Sequence, residues 1–191
     1  SKGEVDVEKN FLSAISDIIN HRHFIAYCFF FYFLTRALLI IFVPVEQGSD
    51  SAWYYSRAVN ISQGLGYSEN GLPTAFWPVG WPAALALVFW LFEPTPVVGQ
   101  IFNLILSFIT FFLVLQLGRI IFKSENTARL AVLLLSLYPN NIAYVQALMS
   151  EIFFTTMLLL GCYLYLLWLA AVTRQQPLHA SSRYTNYDRY S

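Results

Sequence analysis

Long apolar runs separated by short polar segments dominate the chain. Three runs have the roughly 20 residues that a helix needs to cross a bilayer: Phe24–Val45, Val97–Gly118 and Ile152–Val172. A fourth run, Ala128–Leu148, contains Pro139-Asn140-Asn141, so we expect a spanning helix that kinks or unwinds near the proline. The first run exceeds the about 7–15 apolar residues of a signal peptide, which indicates a retained membrane anchor.

A shorter apolar run, Gly80–Phe92, fits two topologies. At about 1.5 Å per residue it reaches only about 20 Å, less than the roughly 30 Å of the hydrocarbon core. Lys and Arg concentrate in cytoplasmic loops, and here they lie in the N-terminal segment, after Gly118 and in the C-terminal tail. These three segments share one side only if Gly80–Phe92 does not cross. We therefore predict an all-α integral membrane protein with four transmembrane helices and both termini cytoplasmic.

This topology divides the chain into three parts. Residues 1–23 form a cytoplasmic segment, residues 24–172 form the four-helix membrane module, and residues 173–191 form a polar, flexible tail. On the outer side, the module has a large loop at residues 46–96 and a short one at residues 148–151.

The large outer loop carries its own helical pattern. Apolar positions at helical spacing predict an amphipathic helix over residues 50–65, lying along the membrane surface: Tyr54, Ala58, Ile61 and Leu65. The opposite, polar face carries Asp50, Arg57 and Asn60. Residues 77–82 begin a second, more apolar helix that is re-entrant or interfacial.

Composition supports a membrane protein and argues against other classes. Hydrophobic residues make up 57% of the chain and charged residues 12%, about half of the roughly 25% typical of soluble domains. The net charge is zero and the basic residues are scattered, so no nucleic-acid partner is expected. Cys28 and Cys162 lie inside apolar runs, where we expect small hydrophobic residues of helices rather than disulfide partners or metal ligands.

Two acidic residues stand at the edges of the outer loops. Asp50 follows the first predicted span, and Glu151 precedes the last one, so both are expected on the outer face. Such carboxylates can act as general bases, flank an acceptor hydroxyl, or together hold a divalent cation. Acidic residues at helix N-termini are also common as caps, and this alternative stays open for each.

Two arginines are further candidates. Arg36 lies near the middle of the first span, where a charge costs about 3 kcal/mol and marks a functional site by default. Its structural alternative is snorkelling to an interface or pairing with a polar group such as Asn103. Arg57 could bind an anionic phosphate at the membrane surface, or it could be solvated or bound to lipid headgroups.

Short motifs follow one another in a recognisable order. They are Arg36 late in the first helix, Asp50-x-x-x-Tyr54-x-x-x-Ala58, Gly64-x-Gly66-Tyr67, Pro78-x-Gly80-x-Pro82, Asn103, Gly118-Arg119 to Lys123, Tyr138-Pro139 and Ser150-Glu151. This set resembles the GT-C superfamily of glycosyltransferases that use polyprenyl-phosphate sugars. It is most similar to the branch of protein O-mannosyltransferases and lipid A aminoarabinose transferases, over roughly residues 24–172.

The resemblance implies a fold and a reaction. The first outer loop should form two juxtamembrane helices, and Asp50 corresponds to the acid that acts as base on the acceptor hydroxyl. A hexosyl or pentosyl group is then displaced from the lipid phosphate with inversion. Glu151 corresponds to an acid that positions substrate or, in some members, a metal. Tyr54, Arg57 and Arg36 are the other candidate substrate-binding residues. Many relatives have Asp-Glu where this chain has Asp50-Ser51.

Three functions remain open from the sequence. Members of that family usually have more spans, so we expect either the N-terminal part of such an enzyme or a module reused without catalysis. The second case would be a scaffold or accessory subunit among other membrane chains. A small transporter subunit is a third possibility, in which Arg36 would be the one intramembrane charge. The expected location is the bacterial inner membrane.

Overall fold

Helices account for nearly all regular structure in this protein. A computed structural model describes residue 13 and residues 17–175, so most of the predicted N-terminal segment and the predicted tail beyond Gln175 lie outside the described residues. The elements are α1 (Phe24–Phe42), α2 (Ser49–Ser62), β1 (Ser68–Glu69), β2 (Leu72–Pro73), α3 (Gly80–Leu91), α4 (Pro96–Phe122), α5 (Glu125–Leu137), α6 (Pro139–Ala143) and α7 (Glu151–Gln175).

Three of these helices are long and apolar enough to cross a membrane. They are α1 with 19 residues, α4 with 27, and α7, whose apolar part covers 24. They coincide, in this order, with the predicted spans Phe24–Val45, Val97–Gly118 and Ile152–Val172. The chain is therefore a multi-pass membrane protein, as the apolar pattern predicted.

The fourth predicted span is interrupted. Helix α5 has 13 residues and ends at Leu137, Tyr138 is extended with ψ 111°, and α6 has only five residues. The residue before a proline is kept out of the helical region, and Pro139 suits the first position of a new helix because it needs no N–H partner there. The predicted unwinding near Pro139 is confirmed, but it extends further, through the non-helical residues 144–150.

Two glycines of α4 fix how the interrupted segment lies. A Cβ on Gly118 would stand 2.9 Å from Ala128 Cα, and one on Gly99 would stand 2.7 Å from a Leu148 methyl group. Both glycines therefore permit close approach, one at each end of the bundle. Residues 128–148 thus run beside α4 from Gly118 to Gly99, a length of about 28 Å at 1.5 Å per residue.

The two helices predicted in the large outer loop are both present. Helices α2 and α3 pack on each other through a buried core that includes Tyr54, Ala58, Trp81, Leu85 and Phe89. Helix α2 ends where Gly64 adopts a φ of +78°, a left-handed conformation that glycine tolerates. Leu65, predicted on the apolar face of this helix, lies beyond the helix end and is 63% exposed.

A small hairpin covers the polar face of α2. Asn70 and Gly71 join β1 and β2 with φ values of 51° and 80°, the pattern of a tight two-residue hairpin turn. Asn60 Nδ2 donates to the Ser68 carbonyl oxygen at 2.9 Å. The polar face predicted to meet water or headgroups is therefore partly packed against the chain itself.

A charged network joins α4 to α5 at the opposite end of the bundle from α2 and α3. Glu125 accepts from Arg119 Nε at 2.7 Å and Nη2 at 2.8 Å, and from Arg129 Nε at 3.2 Å. Hydrogen bonding from Arg119 is the main cause that lowers the pKa of Glu125 from 4.5 to about 2.

This network predicts a pH dependence of stability. A lowered folded-state pKa gives a stabilisation that is complete above the unfolded value of 4.5 and is lost as the pH falls through about 2. The Glu125 and Arg119 side chains are 40% and 36% exposed, so we expect an effect below about 1 kcal/mol. Thermal unfolding of wild type and Glu125→Gln in detergent should differ near neutral pH and converge near pH 2. Glu93→Gln, at an exposed site, is the control, and an equal gap at both pH values would contradict the assignment.

Candidate functional site

Arg36 is the centre of a buried polar cluster on α1. Its side chain is fully buried, and its Nη2 donates to Asn141 Oδ1 at 2.7 Å. The same oxygen accepts from the Tyr32 hydroxyl at 2.9 Å, and the guanidinium lies 3.4 Å from the centre of the Tyr32 ring. Among the described residues, no carboxylate pairs with Arg36. The charge is therefore held by neutral acceptors and an aromatic face.

Asn103, the polar partner suggested for Arg36, has a different role. Its Nδ2 donates to three carbonyl oxygens of the non-helical segment, at 3.4 Å to Tyr144, 3.4 Å to Val145 and 3.0 Å to Ala147. The expected Arg36–Asn103 pair is thus replaced by Arg36–Asn141. The reason is that α6 brings Asn141 to α1, while the segment after α6 lies against Asn103 on α4.

Glutamine side chains secure the same segment. Gln47 donates to the Gln146 carbonyl at 3.1 Å and accepts from the Leu148 amide at 3.0 Å. Gln100 donates to the Gln146 carbonyl at 3.1 Å, and Gln146 donates to the carbonyls of Leu39 and Val43. Non-helical backbone at membrane depth is tolerated where protein groups satisfy it. Gln47 and Gln100 satisfy backbone groups of Gln146 and Leu148 in this way, and the Gln146 side chain satisfies carbonyls at the end of α1.

We predict that Asn103→Leu destabilises the protein. The substitution leaves carbonyl groups of residues 144–147 without a donor in a buried site, which costs about 1–3 kcal/mol. Unfolding by SDS in mixed micelles should show a lower midpoint than wild type. Asn126→Leu, at an exposed site on α5, should show little change. Equal midpoints for the two variants would contradict the role of Asn103.

A small polar pocket of about 220 Å³ opens where α6 meets the start of α7. Glu151 lies in the first turn of α7, and its Oε2 atom is buried without a hydrogen-bond partner among the described residues. Neutral hydrogen-bonding and aromatic groups supply most of the wall. The lining residues are Tyr138, Asn140, Asn141, Tyr144, Glu151, Ile152 and Thr155. A carboxylate oxygen without a donor suits a ligand that brings hydroxyl or amine hydrogens.

Asp50 lies in the first turn of α2 and is partly exposed. Its Oδ1 accepts from the Ser49 hydroxyl at 3.1 Å. Gly48 is the N-cap residue of α2 and no side chain of the described residues caps the helix, so the capping alternative for Asp50 does not apply. Ser49 has a φ of 49°, an uncommon conformation for a residue with a side chain. The carboxylate can accept a proton from an incoming group.

Asp50 and Glu151 lie at the same end of the bundle. The hydrogen bond from the Leu148 amide to Gln47 ties the two outer loops together. Asp50 comes three residues after Gln47, and Glu151 comes three residues after Leu148. Within residues 13 and 17–175, neither a hydrogen bond nor an ion pair joins the two acids. In that same part of the chain, no group of three or more His, Cys, Asp or Glu side chains could hold a metal ion. A divalent cation held by these two carboxylates stays a prediction.

The two remaining candidates, Tyr54 and Arg57, are largely buried. Tyr54 is 6% exposed and belongs to the core between α2 and α3. Arg57 is 8% exposed, lies 3.6 Å from a Glu69 carboxylate oxygen and packs 5.1 Å from the Trp53 ring centre. Its guanidinium is therefore covered by the hairpin rather than presented to headgroups. Substrate binding by Tyr54 and Arg57 stays a prediction.

Comparisons with known proteins give no assignment. No protein-family model matches the chain, and neither a curated protein nor a solved structure matches it significantly. The resemblance to GT-C glycosyltransferases therefore stays a prediction from the sequence.

Several residues of the site were not anticipated from the sequence. Gln47, Gln100, Asn141 and Gln146 each place an amide in or beside an apolar segment. A polar side chain inside a membrane segment costs free energy unless it has a hydrogen-bonding partner. Each of these amides therefore indicated, from the sequence alone, a residue that needs such a partner. The partners themselves depend on how α6 and residues 144–150 fold, which the pattern does not encode.

Proposed function

We propose that this chain is a membrane glycosyltransferase module of the GT-C type, which transfers a sugar from a polyprenyl-phosphate donor to an acceptor hydroxyl. The observation that carries the proposal is the tie between the two outer loops. The Gln47–Leu148 hydrogen bond sets the partly exposed Asp50 carboxylate at the same end of the bundle as the Glu151 pocket.

The proposed reaction uses Asp50 as general base. Its carboxylate removes the proton of the acceptor hydroxyl as the hydroxyl oxygen attacks the anomeric carbon of the donor sugar. The bond from that carbon to the phosphate oxygen breaks, and polyprenyl phosphate leaves with the electron pair. The configuration at the anomeric carbon is inverted. Glu151 would accept hydrogen bonds from the sugar in its pocket.

Arg36 enters this proposal as a positioning residue. It is fully buried, and Asn141 accepts from its guanidinium on one side while lining the Glu151 pocket on the other. We infer that Arg36 sets the position of Asn141 rather than touching the donor phosphate. A direct contact between Arg36 and substrate is not needed in this arrangement.

The proposed topology has four crossings. The interrupted segment at residues 128–148 covers about 28 Å beside α4, close to the roughly 30 Å of the hydrocarbon core. If this segment is counted as a crossing, the two outer loops lie on one side of the membrane and both termini lie in the cytoplasm. The basic residues Arg119, Lys123 and Arg129 then also lie on the cytoplasmic side. A bacterial inner membrane is the proposed location.

A non-catalytic scaffold or accessory subunit is the second candidate. Helix α7 packs chiefly against α4, and much of its apolar surface is exposed, including Phe154 at 64%, Leu158 at 55% and Trp168 at 59%. Such a surface suits contact with lipid or with other membrane chains. This observation leaves room for lateral partners and does not require catalysis.

Reconstitution separates the two candidates. The full-length protein in liposomes, supplied with radiolabelled polyprenyl-phosphate sugars, should transfer label to a hydroxyl-bearing acceptor and release polyprenyl phosphate. Native mass spectrometry of the same preparation reports any partner chains. Release of polyprenyl phosphate together with transfer supports the enzyme. Absence of both, with partner chains bound in fixed stoichiometry, would overturn it in favour of the scaffold.

A further inference from the structure

The start of α3 packs against the membrane-spanning helices. Trp81, the second residue of α3, stacks on Phe102 of α4 with 5.9 Å between ring centres and 4° between ring planes. Its indole Nε1 donates to the Leu148 carbonyl oxygen at 2.8 Å, and its ring also meets Phe153 near the start of α7. Trp81 is 2% exposed, so these contacts fix the position of the helix start.

The depth of that position follows from α4. Arg119 is the charged residue at the inner end of α4, and Phe102 precedes it by about 25 Å at 1.5 Å per residue. A hydrocarbon core of about 30 Å therefore places Phe102 about 5 Å inside the outer boundary. Any tilt of α4 shortens its rise and puts Phe102 deeper. Trp81 shares that depth.

The other end of α3 lies toward the outer surface. Helix α3 ends at Leu91, and Glu93 and Pro94 lead into the first residue of α4, Pro96. The Tyr55 hydroxyl donates to the Pro94 carbonyl oxygen at 2.7 Å and ties α2 to this connection. Helix α3 thus rises from the bilayer, and the chain that precedes it has to descend into the bilayer.

That preceding chain has an unusual surface. From Asn70 to Phe92, no residue carries an ionisable side chain. Three apolar side chains of the descending segment are well exposed: Leu72 at 70%, Phe76 at 73% and Val79 at 48%. The segment is tied to Tyr67, whose hydroxyl donates to the Trp77 carbonyl oxygen at 2.7 Å, and a hollow of about 510 Å³ is lined by Tyr67 and residues 74–79. An apolar surface of this kind marks an interaction site when it meets water.

We propose that residues 72–79 re-enter the outer leaflet and contact bilayer lipid at the boundary between headgroups and hydrocarbon. The surface continues into the exposed face of α3, with Leu87 at 67% and Trp90 at 75%, so one apolar surface runs from the segment along the helix. Trp77, 36% exposed, suits the interface because its ring is apolar and its N–H is polar. The occupant is outer-leaflet phospholipid. This inference does not depend on the proposed activity.

Spin-label accessibility tests the proposal directly. In the full-length protein with Cys28→Ser and Cys162→Ala, a nitroxide is attached to cysteine introduced by Phe76→Cys, Val79→Cys or Glu93→Cys. In phosphatidylcholine and phosphatidylglycerol vesicles, labels at 76 and 79 should collide more with oxygen than with a water-soluble nickel chelate. The label at the exposed position 93, at the other end of α3, should show the reverse. Nickel accessibility at 76 and 79 equal to that at 93 would overturn the proposal.

Tryptophan quenching gives a second measurement that needs no cysteine. Brominated phospholipids quench indole fluorescence at the bilayer depth of the bromine atoms. With bromine near the headgroups, wild type should lose a larger fraction of its fluorescence than Trp77→Phe, because Trp77 contributes a quenchable signal. Fractional quenching of Trp77→Phe equal to or larger than that of wild type would show that Trp77 is quenched no more than the other indoles, and would contradict its position at the headgroup boundary.

Discussion

Asn141→Leu is expected to lower the free energy of unfolding by about 2–3 kcal/mol, because it removes the acceptor of Nη2 in the buried Arg36 guanidinium. The Tyr32 hydroxyl loses the same acceptor. Nη1 keeps the Tyr32 carbonyl and Thr35 hydroxyl oxygens as acceptors, but Nη2 cannot replace its lost bond with water while the helices stay packed. Unfolding in mixed micelles of increasing SDS content, followed by circular dichroism, measures the loss.

Asn140→Leu is the matched control for this prediction. Asn140 is the adjacent residue on α6, is exposed, and makes one long contact of 3.4 Å with the Tyr138 hydroxyl. We expect a change within about 0.5 kcal/mol, typical of surface sites. The double variant Arg36→Leu with Asn141→Leu should recover part of the loss, because it leaves no unpaired charge. A double variant less stable than Asn141→Leu alone would contradict the charge-holding role.

The membrane architecture was predictable because length and apolarity are sufficient signals for a spanning helix. The three uninterrupted apolar runs agree with α1, α4 and α7. In the run Ala128–Leu148, Pro139 correctly marked the interruption. The extent of the interruption was not predictable. Residues 144–150 are apolar enough for helix, and their irregular backbone depends on amides from distant parts of the chain, such as Gln47 and Asn103.

The site was predictable only in part. Topology alone put Asp50 and Glu151 on one face, and the Gln47–Leu148 contact agrees with that placement. The partner of Arg36 was not predictable, because Asn103 and Asn141 are both amides at plausible depth. The hairpin over Arg57 was not predictable, because the spacing of residues along one helix does not show which other part of the chain packs on it.

Asp50→Asn is expected to slow sugar transfer by about 100- to 10,000-fold, the range that general-base catalysis typically contributes. The substitution keeps the size of the side chain but removes the group that accepts the proton. Asp50 is partly exposed, and its side chain accepts a hydrogen bond from the neighbouring Ser49 hydroxyl, so folding should be unaffected. The SDS unfolding midpoint should therefore match that of wild type.

The proposed base is tested most directly by the turnover of Asp50→Asn beside that of Glu46→Gln in the full-length protein. Glu46 is an exposed acid in the same outer loop, so its variant makes the same change from carboxylate to amide away from the proposed site. Release of polyprenyl phosphate and transfer of label are measured in liposomes at equal protein content. We predict a loss of at least 100-fold for Asp50→Asn and near-wild-type turnover for Glu46→Gln. Near-wild-type turnover by Asp50→Asn would contradict the assignment of Asp50 as the base.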